Sequence, residues 1–423
     1  MKKNILVMLA LASTSLAIAG CGSGKNEESK ADKDTIKWAV WDVKKSSVEH
    51  ELVAAFEKEN PGKQVELTSI GSADYQDKVT TMLASGDTTD LITIKNARQY
   101  GALSKSNALL DVTEDIESSS NKEKAPDAFE AFYMPDGRAY AQPIKADSWY
   151  LFYNKDIFDE KGIAYPENLT WDEYIQLAGK LTDEKEDIYG SYQVVWPSVV
   201  QAPAYAQSDV DYVKADYSWL KNYYQVALDL QDKGYAQDFA TNSTGSEAGG
   251  HGPAFEGGQA AMLVMGTWYV QDLIGNINAG DTDINWGLAQ LPQNEGVSTP
   301  ETAAAFTGIA VNKNSKNQEL AKQFAEFLSS EEAAEIYASK GVFPAISSEK
   351  TNAKLLEIEG MATDDGTKAV LNAEKKLKSE LPIGESVSDV NTILEEEHTL
   401  IMTGEVSLSK GIEEMNSRVK ELE

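Results

Sequence analysis

The chain has 423 residues, too many for one ordinary core, so two or more domains are expected. Its 38 Lys and Arg stand against 68 Asp and Glu, a net charge of −30 that repels nucleic acid and excludes it as a partner. There is one cysteine, so no disulfide can form within the chain and packed cores must supply the stability.

Met1, Lys2 and Lys3 precede an apolar run from Ile5 to Ala19, and small residues follow. A basic start, a short apolar core and small residues before the cut make residues 1–20 a secretory signal peptide. The run is too short for a comfortable membrane span. The single cysteine, Cys21, closes the string Ile18-Ala19-Gly20-Cys21, which resembles a bacterial lipobox. That resemblance implies lipidation of Cys21, with palmitate or a similar acyl chain, as the first residue of the mature chain. Two or more acyl chains hold a protein stably at a membrane surface, where one does not. Residues 21–34 are small, polar and charged and read as a flexible tether. Gly22-Ser23-Gly24-Lys25 is not a phosphate loop, because the leading glycine is missing and Asn26 stands where Ser or Thr is required.

Thr35 to Trp41 is strand-like. Ser46 and Glu49 have capping-box spacing, and Val48, Leu52 and Phe56 follow at helical spacing until Pro61-Gly62. Val65 and Leu67 alternate as in a strand, a helix covers Tyr75 to Leu83, and Asp90 to Ile94 is a third strand. This β-α-β-α-β order predicts a parallel sheet with helices on its faces. Ligands of such sheets bind beyond the carboxyl ends of the strands. Trp41 and Asp42 stand there after the first strand, and Lys95 and Asn96 after the third. Further on, Ala139 to Ile144, Tyr150 to Tyr153 and Ala260 to Val264 are strand-like. Thr170 caps a helix through Trp171, Tyr174 and Leu177. Gln318 to Leu328, Glu331 to Ala338 and Leu408 to Leu422 read as helices.

Several segments in order resemble the extracellular solute-binding proteins of ABC importers, in the branch with the maltose- and maltodextrin-binding proteins. They include Leu52 to Gly62, Ala84-Ser85-Gly86 with Asp90-Leu91, Leu151-Phe152-Tyr153-Asn154-Lys155-Asp156 and Thr170-Trp171-Asp172-Glu173. Gly162, Pro166, Phe255 to Met262, Gly266-Thr267-Trp268, Leu291-Pro292, Phe306-Thr307-Gly308, and Asn317 to Leu328 with Gly341 and Pro344 after it complete the set. The resemblance runs from about Thr35 to the C-terminus. It implies an α/β, two-lobed periplasmic-binding-protein-like fold of type II, each lobe a sheet flanked by helices with a ligand cleft between. Chain crossings are then expected near Ala146-Asp147, Thr302 to Phe306 and Val342 to Ala345. The lobes would be 35–145 plus 305–345, and 146–304 plus 346–423. The implied function is capture of a mono- or oligosaccharide and its delivery to membrane permeases by cleft closure, by a monomer on the extracellular face of the cell membrane. A polyol or other non-sugar solute is the alternative within the same fold.

A sugar site needs flat aromatic surface for ring faces and fixed hydrogen-bond groups for hydroxyls. By resemblance, Trp268 after the strand Ala260 to Val264 would stack on a ring, and Asp147, seven residues before Asn154, would accept hydroxyls at a crossing. Trp41, Asp42, Lys95 and Asn96 join them from the strand ends. Trp196, in a Trp-Pro pair matching one in the second lobe, and Phe306, beside a crossing, are further cleft candidates, with Gln193 the alternative to Trp196. Trp38 should face a core, and Trp149, Trp171, Trp219 and Trp286 read as structural. At Ile94, Ala97 and Arg98 the chain departs from the maltodextrin pattern of an aromatic residue followed by an aspartate. This departure bears on maltodextrin itself and leaves the class intact.

An enzyme is not expected. His50, His251 and His398 fit no metal-ligand spacing, no Gly-x-Ser-x-Gly elbow occurs, and no cofactor or metal is implied. A secreted glycoside-acting enzyme with two carboxylates is the distant alternative. Asp281, Asp283 and Asn285 lack the glycine and terminal glutamate of a calcium loop. Replacing Cys21 with Ser is expected to release the protein from the membrane into the medium. A Cys21→Ser protein that stays membrane-bound and acyl-labelled would contradict the lipobox reading.

Overall fold

The computed structural model describes residues 34–245, 250–384 and 386–422; the expectations for the leader, Cys21 and the tether to residue 33 lie outside the described residues. β1 (Thr35–Trp41) lies between β2 (Gln64–Ile70) and β3 (Leu91–Ile94), parallel to both. β3 is buried on both faces, which is why it reads as the continuous run Leu-Ile-Thr-Ile. Trp38 does face a core: its indole N–H donates to Thr93 Oγ1 at 2.8 Å, and that hydroxyl donates to Ala39 O at 2.9 Å. The Tyr75 hydroxyl lies 2.9 Å from the Ala39 and Thr93 carbonyls, so the polar groups in this interior are paired.

One face of this sheet packs Ile36, Trp38 and Val40 on Leu52 and Phe56 of the helix Val48–Glu59 and on Phe324 of the helix Gln318–Leu328. The other packs Ala39, Ile92 and Ile94 under Tyr75 and Val79 of Tyr75–Ala84 and Tyr100 of Ala97–Lys105. Each large apolar side chain buried this way contributes about 1.5–3 kcal/mol.

A second sheet forms around the far half of β4 (Gln142–Asn154), flanked by β5 (Met262–Gly266) and β6 (Trp286–Gln290), both antiparallel to it. Leu151 and Tyr153 face the helix Trp171–Leu181, while Tyr150 and Phe152 face the helix Tyr269–Ala279. The near half of β4 belongs to the first sheet, antiparallel to β7 (Glu301–Val311), and β7 also pairs with β3. The start of β7 pairs in parallel with β8 (Lys376–Ser379). A third segment runs beside them: Ala146 N–H donates to Phe343 O and Ala345 N–H to Ile144 O, both at 3.1 Å.

Three local expectations need correction. Ala139 to Ile144 and Tyr150 to Tyr153 are not separate strands; the polar stretch between them continues as one 13-residue strand. The strand expected at Ala260 to Val264 sits two residues later. The capping box at Ser46 does not form. Ser47 is the N-cap, and its Oγ accepts from the Lys44 N–H at 2.7 Å instead of from the helix.

The box at Thr170 does form. Thr170 Oγ1 accepts from Glu173 N–H at 3.2 Å, and Glu173 Oε2 accepts from Thr170 N–H at 2.8 Å. Thr170→Ala removes half of this pair, and urea unfolding is expected to show a loss of about 1 kcal/mol. An unchanged midpoint would contradict the assignment.

Candidate functional site

At the end of β1 the half-buried Trp41 meets Tyr75 edge-on, ring centroids 5.3 Å apart. Asp42 turns the chain with φ +49°, in the left-handed region that Asp tolerates through local hydrogen bonds. Its N–H donates to Ile70 O, and its Oδ1 accepts from Ser72 N–H, each at 3.0 Å. Lys95, just past β3, donates from Nζ to Ser72 Oγ at 2.6 Å and to Ser72 O at 3.1 Å. That ammonium also lies 5.4 Å from the Trp41 ring centroid. Partial burial pulls the Lys95 pKa down, opposed by the charge of Asp42. Asn96 is engaged by local structure: its Oδ1 caps the helix Ala97–Lys105 by accepting from Gln99 N–H at 2.9 Å.

Strand alternation places Lys145, Asp147 and Trp149 of β4 on one face. Lys145 Nζ lies 5.0 Å from the Trp41 ring centroid, so the indole has two ammonium neighbours. Asp147 Oδ1 accepts from Thr267 Oγ1 at 3.1 Å, and Thr267 directly follows β5. Trp268 comes next, half-buried and edge-on to Trp149 at 5.2 Å and 88°. Its six-membered ring lies over Gly266, where an added Cβ would come within 2.0 Å of the ring. Glycine is therefore required for this indole position. The Trp149 indole N–H donates in turn to Glu380 Oε1 at 2.5 Å.

One connected set of side chains thus runs from Trp41 of the first sheet through Lys145 and Asp147 to Thr267 and Trp268 of the second. Burial pushes the Asp147 carboxyl up to about 6, opposed by Lys145 and by the Thr267 hydrogen bond. In the β4–β7 register Ala305 is opposite Asp147, so Ala303 and Ala305 share its face and leave a low floor there.

Phe306 pairs with Ala146 and therefore lies on the reverse face, 5 % exposed beside Tyr140 and Ala304. The structure makes it a core side chain and does not bring it to the Asp147 set. Trp196 is also apart: it is 39 % exposed, rests edge-on against His251 at 5.5 Å, and lines a separate hollow with Tyr192, Glu256 and Asp272. Gln193 donates to Ala227 O, on the helix Lys221–Asp232, at 2.9 Å.

Sequence reading missed Lys145, Thr267 and Glu380. Lys145 was reachable, being two residues from Asp147 on the same strand face. Glu380 was not, since 231 positions separate it from its partner Trp149. Among the described residues no group of three or more His, Cys, Asp or Glu could hold a metal ion, and no helix is long and apolar enough to cross a membrane. Two indole surfaces, three carboxyl groups and two ammonium groups suit a neutral molecule with apolar faces and a rim of hydroxyls.

Comparison with known proteins agrees with this architecture. Residues 42–335 match the family model described as bacterial extracellular solute-binding protein. The galactooligosaccharide-binding protein of Bacillus subtilis is 26 % identical over 381 residues, 85 % of this chain and 84 % of that protein. The multiple sugar-binding protein of Streptococcus mutans is 29 % identical over a shorter stretch, 44 % of this chain and 42 % of that protein. A sugar transporter from Rhizobium etli, solved in an open conformation, superposes with a TM-score of 0.84 at 32 % identity, over 91 % of this chain and 99 % of that one. The sugar-binding protein MalE of Xanthomonas citri, at 20 % identity and a TM-score of 0.72 over 92 % of this chain and 96 % of that one, shares the two-lobed fold. By sequence and by fold, this chain belongs to the bacterial extracellular solute-binding proteins of ABC importers.

Proposed function

We propose that the protein captures a neutral mono- or oligosaccharide between its two lobes and presents it to the membrane permeases of an ABC importer. The observation that carries this reading is the connected set Trp41–Lys145–Asp147–Thr267–Trp268, which spans both sheets through one strand. A ligand stacked on Trp268 and bonded to Asp147 touches one sheet at the point where the chain crosses to the other. Contacts from Trp41, Asp42 and Lys95 are then made only when the lobes approach, so binding favours closure. The sugar-binding relatives support the carbohydrate class.

In this reading the lobes are 35–145 plus 305–345, and 146–304 plus 346–423. Three adjacent crossings at β4, β7 and Phe343–Ala345 support that division, because neighbouring strands guide a bend and resist free rotation. The reading includes a lipid anchor at Cys21, work at the extracellular face of the membrane, and a monomeric state. Binding without turnover is its chemical content: the acids serve as hydrogen-bond partners of hydroxyls.

Calorimetry against neutral mono-, oligosaccharides and polyols is expected to yield a carbohydrate binder that is recovered unchanged. Trp268→Ala should weaken that ligand by about 1–3 kcal/mol, the scale of losing an aromatic contact face. Gly266→Ala should produce a similar loss with the tryptophan still present, because the new methyl displaces the ring. A panel in which only polyols bind would shift the class. A carbohydrate binder unaffected by both substitutions would overturn the site.

A further inference from the structure

Glu380 directly follows β8, which pairs with the start of β7. Its N–H donates to Ala304 O at 3.1 Å, fixing it beside the crossing. β7 lies between it and β4, and beside Asp147 the β7 residues on this face are Ala305, opposite it, and Ala303, with Thr307 beyond them opposite Lys145. The Glu380 side chain reaches across this low floor to the Trp149 indole, on the β4 face that also carries Asp147.

We propose that Glu380 is a specificity-determining residue of the cleft: with Asp147 it forms a carboxyl pair across the β7 alanines that grips neighbouring hydroxyls of an enclosed carbohydrate. This rests on the carbohydrate reading above and adds the residue that selects among hydroxyl patterns.

Each carboxyl group has one oxygen held by a neutral donor, Thr267 Oγ1 for Asp147 and Trp149 Nε1 for Glu380. A group held this way offers its second oxygen with little freedom left to lose on binding. The charged neighbours leave the pair uncompensated on the Glu380 side. Lys145 faces Asp147. Lys378 of β8 turns away, donating to Tyr205 O at 3.0 Å and Ser208 O at 2.8 Å. Asp127, on the helix Pro126–Glu130, is occupied by the Leu377 N–H at 2.8 Å. Burial pushes Glu380 up to about 7, and the charge of Asp147 adds to the rise against the Trp149 hydrogen bond.

Both carboxyl groups thus lie above the ordinary carboxylate range, so the free pair is partly protonated near neutral pH and loses that proton as pH rises. Enclosing a ligand excludes water, and the repulsion between two ionised carboxyl groups strengthens as the local dielectric falls. The enclosed pair keeps one proton, taken from the buffer. The protonated member then donates and the ionised member accepts, which suits hydroxyls that do both. The bound state holds more protons than the free state above neutral pH, so affinity rises as pH falls from about 8.5 toward 6. The slope is at most about tenfold per pH unit, and it levels once the free pair is itself protonated.

The test has two arms. In the free protein, the Trp149 indole N–H resonance should titrate near neutral pH, move to lower pH in Asp147→Asn, and stop titrating in Glu380→Gln, which keeps an acceptor for the indole. With the carbohydrate found by calorimetry, titration at about pH 8 in buffers of different ionisation enthalpy should show uptake of up to one proton. Glu380→Gln should abolish the uptake, flatten the pH profile, and change the ranking of epimeric sugars. Sugar binding without proton uptake, or Glu380→Gln with unaltered uptake and ranking, overturns the pair alone. A titrating indole in a protein that binds no carbohydrate overturns the carbohydrate reading, and the grip with it.

Discussion

The molecule depends on one strand. β4 is paired at its near end to β7 in the first sheet and at its far end to β5 and β6 in the second, so a single backbone ladder is continuous through both lobes. A strand inside a packed core would present apolar residues throughout. This one carries Lys145, Asp147 and Ser148 in mid-course, at the passage from one sheet to the other. Two of the residues that make the strand unlike a core strand, Lys145 and Asp147, are those the proposed site uses. Displacing β4 would alter the fold and the site together.

Around that strand, polar groups are set by burial as much as by partners. Asp147 and Glu380 are pushed up to about 6 and 7 by partial loss of water, and Lys95 is pulled down by the same cause. The chain is strongly acidic overall, yet Lys95 and Lys145 both lie over the face of Trp41. Local arrangement, and not net charge, decides what such a cleft accepts. Indoles held at Trp41 and Trp268 offer area at low entropic cost, while carboxyl groups held by hydroxyl and indole donors fix hydrogen-bond directions. Gly266 belongs to this design although it touches no ligand in the account, because its missing side chain is the space that Trp268 occupies.

Much of the fold was legible where local physics decides. The strand-like run of Thr35 to Trp41, the apolar spacing of Val48, Leu52 and Phe56, and the capping box at Thr170 each produce the element they announce. The continuity of β4 was not legible, because its polar centre interrupts the apolar run that marks a buried strand. Ser46 misled because Ser47, next to it, holds its hydroxyl toward Lys44. Within the site, the strand ends at Trp41 and Lys95 follow from parallel α/β order, and the family resemblance points to Asp147 and Trp268. Phe306 shows the limit. Only the register, which pairs it with Ala146 and not with Asp147, decides which face it takes. Glu380 lies beyond any local signal, since the fold and not the spacing brings it to Trp149.

In the proposed function, a ligand bound on one lobe closes the other onto it, bending the three adjacent crossings. Small-angle scattering of the free and saturated protein tests this most directly. A smaller radius of gyration and a shorter maximum dimension are expected with a saturating carbohydrate, and no change with a sugar that calorimetry shows not to bind. Identical scattering curves at proven saturation would contradict it and leave a rigid site that needs no closure.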